Sequence, residues 1–116
     1  VERSRGLGDV YKRQIKYCGG VEEAVRIANS AMKSRVGFSP HCPSGPISLL
    51  ASAHVCASLD ERVILEHAVE EFEYRHEFID PFEVIRNGQL RMPDGAGLGA
   101  DLNPESLKKY GEYFTL

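Results

Sequence analysis

Val36-Gly37-Phe38-Ser39-Pro40-His41-Cys42-Pro43-Ser44-Gly45-Pro46 and, further along, Val63-Ile64-Leu65-Glu66-His67 are the stretches that decide the fold of this chain. In each, a short apolar run closes on an ionisable side chain, His41 in the first and Glu66 in the second. Residues 47–58, between them, read as a helix. Alternation along the first run puts His41, Ser39 and Gly37 on one side and Pro40, Phe38 and Val36 on the other. The unit is strand, helix, strand, with an ionisable group at the carboxyl end of each strand. In parallel α/β folds those ends share one face, and ligands and chemistry gather there.

The flanks extend the same pattern. Ile15-Lys16-Tyr17-Cys18 reads as the stub of a preceding strand, and Gly19-Gly20 as a tight turn into a helix. Val21, Ala24, Val25, Ala28, Ala31 and Met32 recur at helical spacing, opposite Glu22, Glu23, Arg26, Asn29 and Lys33. The acids fall in the first turn and Lys33 and Arg35 at the end, which suits the helix dipole. Pro46 can open the next helix, because its missing N–H is an orphan in the first turn anyway. Ile47, Leu50, Ala51, His54, Val55 and Ser58 make one stripe there, but Leu49, Ala53 and Ala57 render the helix apolar nearly all round. Such a helix is buried on more than one side. Val63 to Glu66 is the last strand of this part.

From about Glu70 the texture changes. Acids mix with Phe72, Tyr74 and Phe78, and Asp80-Pro81 breaks the chain. Residues 83–86 and 89–92, separated by Asn87-Gly88, predict a β-hairpin with a two-residue turn. Residues 93–103 form a glycine-rich loop around Asp94-Gly95-Ala96-Gly97-Leu98-Gly99, and 104–110 a short helix.

Composition narrows the function. The chain has 116 residues, 42% of them hydrophobic, and a net charge of −3 without a basic patch, which argues against a nucleic-acid partner. No apolar run nears the roughly 18 residues that span a membrane, so no membrane partner is expected. Three cysteines without paired spacing suggest no disulfide framework and fit a cytoplasmic setting. Residues 1–14 lack strand or helix periodicity and carry four basic and two acidic side chains, against ten and fifteen in the remainder. Arg3 to Gln14 also resembles a translated sequencing-adaptor read, so residues 1–14 are expected to be an artefactual tail; a natural flexible terminus is the alternative.

The Pro-His-Cys-Pro-x-Gly-Pro run, Glu66 25 residues after His41, Gly19-Gly20 and the loop 94–99 together resemble the mandelate racemase and muconate lactonizing branch of the enolase superfamily. Within it the chain is most similar to acid-sugar dehydratases of the galactonate type. The resemblance covers residues 15–116 and implies an α/β chain. It would be the C-terminal fragment of a (β/α)8 TIM-type barrel, since a whole barrel needs roughly 200 to 250 residues. Residues 15–69 would hold the last strands and helices of the barrel, and 70–116 would complete the capping domain. It further implies a Mg²⁺-dependent lyase acting on a small sugar acid, homo-oligomeric in its full form. The Mg²⁺ ligands would be carboxylates on earlier strands, so that no metal is held by this chain.

In that family a His–Asp dyad moves protons. His41 matches the histidine; the aspartate should stand five residues before Gly19, where this chain has Gln14. Glu66 matches the acid on the final strand, which hydrogen-bonds the substrate carboxylate as it becomes an enediolate and must be protonated or paired with a cation to do so. The chemistry suits the residue types: a proton next to a carboxylate is a very weak acid, and its removal needs a well-placed base and strong electrostatic help.

The remaining candidates default to structure. His54 lies on a helix face, His67 points away from Glu66 and His76 sits in a polar connection. Cys18, Cys42 and Cys56 read as buried small apolar residues. His41, Cys42, His54 and Cys56 lack the spacing of a zinc site. The loop 94–99 lacks the flanking strand and helix of a nucleotide loop and is expected to turn the chain sharply. Two other functions stay open at this point: a racemase or epimerase of the same superfamily, and a small non-enzymatic α/β interaction module in which His41 and Glu66 are incidental.

Overall fold

A computed structural model describes residues 10–13, 15–42, 45–68 and 75–111. Three parallel strands lie in the order β1 (Val10–Arg13), β2 (Gly37–Cys42), β3 (Glu66–His67). Helices α1 (Ile15–Cys18) and α2 (Val21–Lys33) join β1 to β2, and α3 (Pro46–Ala57) joins β2 to β3. Parallel strands need such crossovers, because a strand cannot return alongside its neighbour in the same direction through a tight turn. The core lies between sheet and helices and is built from Ile15, Ala24, Ala28, Phe38 and Val55. Ala24 and Ala28 stand one turn apart on α2, where their small side chains let the helix come close to the sheet.

Two expectations about the start of the chain are corrected. Residues 15–18 are helical, and the strand comes earlier, at 10–13, inside the segment set aside as a tail. Val10 to Arg13 pair in parallel with Gly37 to Pro40. Backbone amides and carbonyls make that ladder, so it does not need the side-chain alternation by which strands are recognised. A four-residue run such as Ile-Lys-Tyr-Cys fits either period, and tertiary contact decides it. Ile15 is buried, and the chain then turns through Gly19 and Gly20 at φ of 110° and 104°, a region side chains rarely enter.

The stripe on α3 is also corrected. Its buried residues are Pro46, Leu49, Leu50, Ser52, Ala53 and Val55, whereas Ile47 is exposed. Periodicity cannot choose a face on a helix that is apolar all round. Val55 joins the core with α2, while Leu49 and Ala53 look toward the C-terminal segment. The last strand is shorter than Val63–Glu66: pairing is confined to Glu66 and His67, and Ile64 is largely exposed.

Residues 75–111 are built from short pieces. A 3₁₀ turn (Arg75–Phe78) leads into β4 (Ile79–Asp80), which pairs antiparallel with β7 (Asp101–Leu102), a ladder the sequence did not announce. The hairpin of β5 (Val84–Arg86) and β6 (Gln89–Arg91) forms as expected, with Asn87 and Gly88 both at positive φ, as a type I′ turn requires. Helix α4 (Pro104–Tyr110) starts where predicted, and the Asn103 side chain accepts from the Glu105 and Ser106 amides. No described helix is long and apolar enough to cross a membrane.

Candidate functional site

β2 and β3 carry the two candidate residues. The register places His41 level with Glu66 and Cys42 level with His67. Adjacent strands lie about 4.8 Å apart, and residues level with each other present their side chains to the same face. Phe38 and Cys42 are buried beneath the helices, so Ser39, His41 and Glu66 belong to the opposite face of the sheet. There His41 and Glu66 are half-buried, open enough to reach a small molecule and shielded enough for their charges to matter. The pairing of an imidazole with a carboxyl group is an acid–base arrangement by composition: a ring nitrogen can take up or give a proton, and a carboxyl group accepts or donates a hydrogen bond according to its proton.

Ser39 completes this face. Its hydroxyl donates to the Ile64 carbonyl at 2.7 Å, linking the strand of His41 to the approach of Glu66. Sequence reading gave Ser39 a place on this face but no partner. The clue lies in its neighbour Pro40, which has no N–H to offer the sheet.

His67 sits on the helix side, on a groove of about 760 Å³ between α3, residues 61–65 and the β5–β6 hairpin. Cys56 lines the same groove, and burial pushes its thiol up to about 11, so it stays protonated at neutral pH. His54 lies within 3.1 Å of the Leu98 carbonyl through Nε2, which must therefore carry the proton. The contact ties α3 to the glycine loop, in keeping with a satisfied structural histidine. His76 stacks edge-on against Phe82. All three cysteines are free thiols; Cys42 is buried and Cys18 and Cys56 half-buried.

Gln14, Pro43-Ser44 and the acidic run 70–74 lie outside the described residues. Among the described residues, no group of three or more His, Cys, Asp or Glu could hold a metal ion. These residues therefore do not fit a resident Mg²⁺.

Known proteins are similar to this chain along most of its length. The family model described as enolase C-terminal domain-like matches residues 4–106. A D-galactonate dehydratase from Xanthomonas campestris pv. campestris (strain B100) is 34% identical over 115 residues, covering 92% of this chain and 29% of that protein. An arabinonate dehydratase from Saccharolobus solfataricus is 29% identical, covering 95% and 29%. The crystal structure of an enolase of the mandelate racemase subgroup from Agrobacterium tumefaciens superposes with a TM-score of 0.77 at 30% identity, covering 87% of this chain and 27% of that one. The chain thus spans less than a third of the length of these relatives. With parallel strands joined by helices, His41 level with Glu66, and a family match over nearly the whole chain, the protein belongs to the enolase C-terminal domain-like family, in the mandelate racemase and muconate lactonizing branch.

Proposed function

We propose that this chain works, within a longer protein, as the closing part of an acid-sugar dehydratase, a lyase that removes water from a small sugar acid. On this reading the barrel part runs from β1 to about residue 69 and the rest joins the capping domain. The carrying observation is the register that sets His41 beside Glu66 on the open face of a parallel sheet. The similarity to galactonate and arabinonate dehydratases supports the choice of reaction.

His41 serves as the proton carrier. Its neutral imidazole takes the proton from the carbon next to the substrate carboxylate, and the C–H electron pair moves into the carboxylate to give an enediolate. A protonated Glu66 donates a hydrogen bond to the carboxylate oxygen on which charge grows, stabilising that state more than the ground state. The pair then returns to form a carbon–carbon double bond as the neighbouring C–O bond breaks, and the departing hydroxyl takes the proton held by His41 and leaves as water, which restores the neutral imidazole. Metal ligands, as in the rest of the family, would come from outside the described residues.

The test uses the longer protein with candidate sugar acids. His41→Asn should lower kcat by about 10²- to 10⁴-fold with KM largely kept, because a positioned proton carrier is lost while distal contacts remain. Exchange of the substrate α-proton with solvent deuterium should vanish with it. Full activity in His41→Asn overturns the assignment. Interconversion of epimers without loss of water would instead identify a racemase or epimerase.

A further inference from the structure

The register of β2 and β3 depends on a strand interrupted by proline. With His41 level with Glu66 and Cys42 level with His67, only two hydrogen-bond phases are open to the ladder. One of them needs the amide of residue 43, which is proline and has none. In the other, the Cys42 amide serves the Glu66 carbonyl, and the preceding rung would run from the amide of residue 40 to the carbonyl of Ile64. Residue 40 is also proline. The ladder therefore lacks a donor one rung before Glu66, at the place where regular pairing of β3 stops. The Ser39 hydroxyl lies there, 2.7 Å from that same carbonyl and itself buried.

We propose that Ser39 is a positioning residue whose hydroxyl replaces the rung that Pro40 removes, locking the register that holds His41 beside Glu66. A two-residue ladder is weakly specified by itself, and a slip of one residue would turn Glu66 to the helix side. The hydroxyl prevents this by making the Ile64 carbonyl a fixed point two residues upstream, on the same face as the reacting groups. The catalytic consequence rests on the dehydratase reading; the register consequence does not.

The experiment compares Ser39→Ala and Ser39→Thr in the longer protein, with two readouts. The first is amide hydrogen exchange at Cys42 and Glu66, which requires no substrate. Leaving the carbonyl without its donor should speed exchange there by roughly tenfold in Ser39→Ala, and Ser39→Thr, which keeps the hydroxyl, should restore protection. The second is turnover: kcat should fall by about tenfold in Ser39→Ala with KM within twofold, and recover in Ser39→Thr. Unchanged exchange in Ser39→Ala overturns the proposal, as does a fall in kcat without faster exchange, or a Ser39→Thr protein that regains protection but not kcat. If the unmodified protein turns over no sugar acid, the dehydratase reading fails alone, and the exchange result still decides the role of Ser39.

Discussion

Residues 10–68 and residues 75–111 are held together by different physics. The first region is a layered unit in which helices cover one side of a parallel sheet and exclude water from Phe38, Val55, Ala24 and Ala28. The second has ladders of two or three residues, a 3₁₀ turn, a seven-residue helix and a loop closed upon itself. Its order comes from local chemistry and a few long-range contacts. Asn87-Gly88 makes the hairpin and Asn103 caps α4. Arg75 and Glu83 form a buried ion pair that ties the 3₁₀ turn to the stretch before β5. Breaking such a pair by removing one partner costs far more than it contributes when whole, because the other charge is left in a dry environment. The first region thus gains stability from area and the second from particular residues. The candidate site is built wholly on the first.

That contrast can be broken most decisively from inside the layered half. Phe38 is buried at the centre of its core, and Phe38→Ala should cost about 3–5 kcal/mol through lost transfer energy and the cavity left behind. Urea unfolding of the longer protein checks this. An effect near zero would show that the sheet–helix core does not dominate.

The boundary between the regions supplies a sharper probe. Cys56 faces the groove between α3 and the hairpin, and its thiol is raised from the ordinary 9.0 to about 11 by burial. At pH 8 its thiolate fraction should be about a hundredfold below that of an unfolded cysteine, with alkylation slowed accordingly. A raised thiol contributes stability fully present below pH 9, the unfolded value, and lost as pH climbs toward 11. Alkylation at the unfolded rate while the core stays intact would mean that the hairpin does not cover the helix.

A smaller effect is expected within the second region. Gly99 stands at φ 77°, and a Cβ there would lie 2.6 Å from Pro93 Cγ. Gly99→Ala should cost about 2 kcal/mol, from crowding and from a backbone conformation that alanine adopts reluctantly. Hydrogen exchange should locate the loosening at residues 94–103, leaving the protection of β2 unchanged. If exchange in β2 rises equally, the two regions unfold as one.

Legibility cut across the two regions. Helix α2 was plain from periodicity, because thirteen residues give several turns of evidence. The hairpin and the N-terminal end of α3 were plain from turn residues and a proline that act over two or three positions, and α4 formed over the stretch expected for it. The ladder of β4 and β7 was not, since two-residue strands more than twenty residues apart carry no pattern of their own. Strand β1 was missed because a parallel ladder asks little of side chains, and α3 misled because an apolar helix does not declare which neighbour covers which face.

By itself the sequence determined a strand–helix–strand unit in which His41 and Glu66 each close a short apolar run, through hydrophobic period, the proline that opens α3, and residue chemistry. Only the tertiary structure decided that the two residues stand level in adjacent strands, that Val10–Arg13 joins the sheet, and that Ser39 answers the carbonyl of Ile64. The reason is one of range. Propensity, capping and turn geometry act within a few residues, whereas register is set by backbone hydrogen bonds between segments 25 residues apart, and a single proline can move one of those bonds onto a side chain.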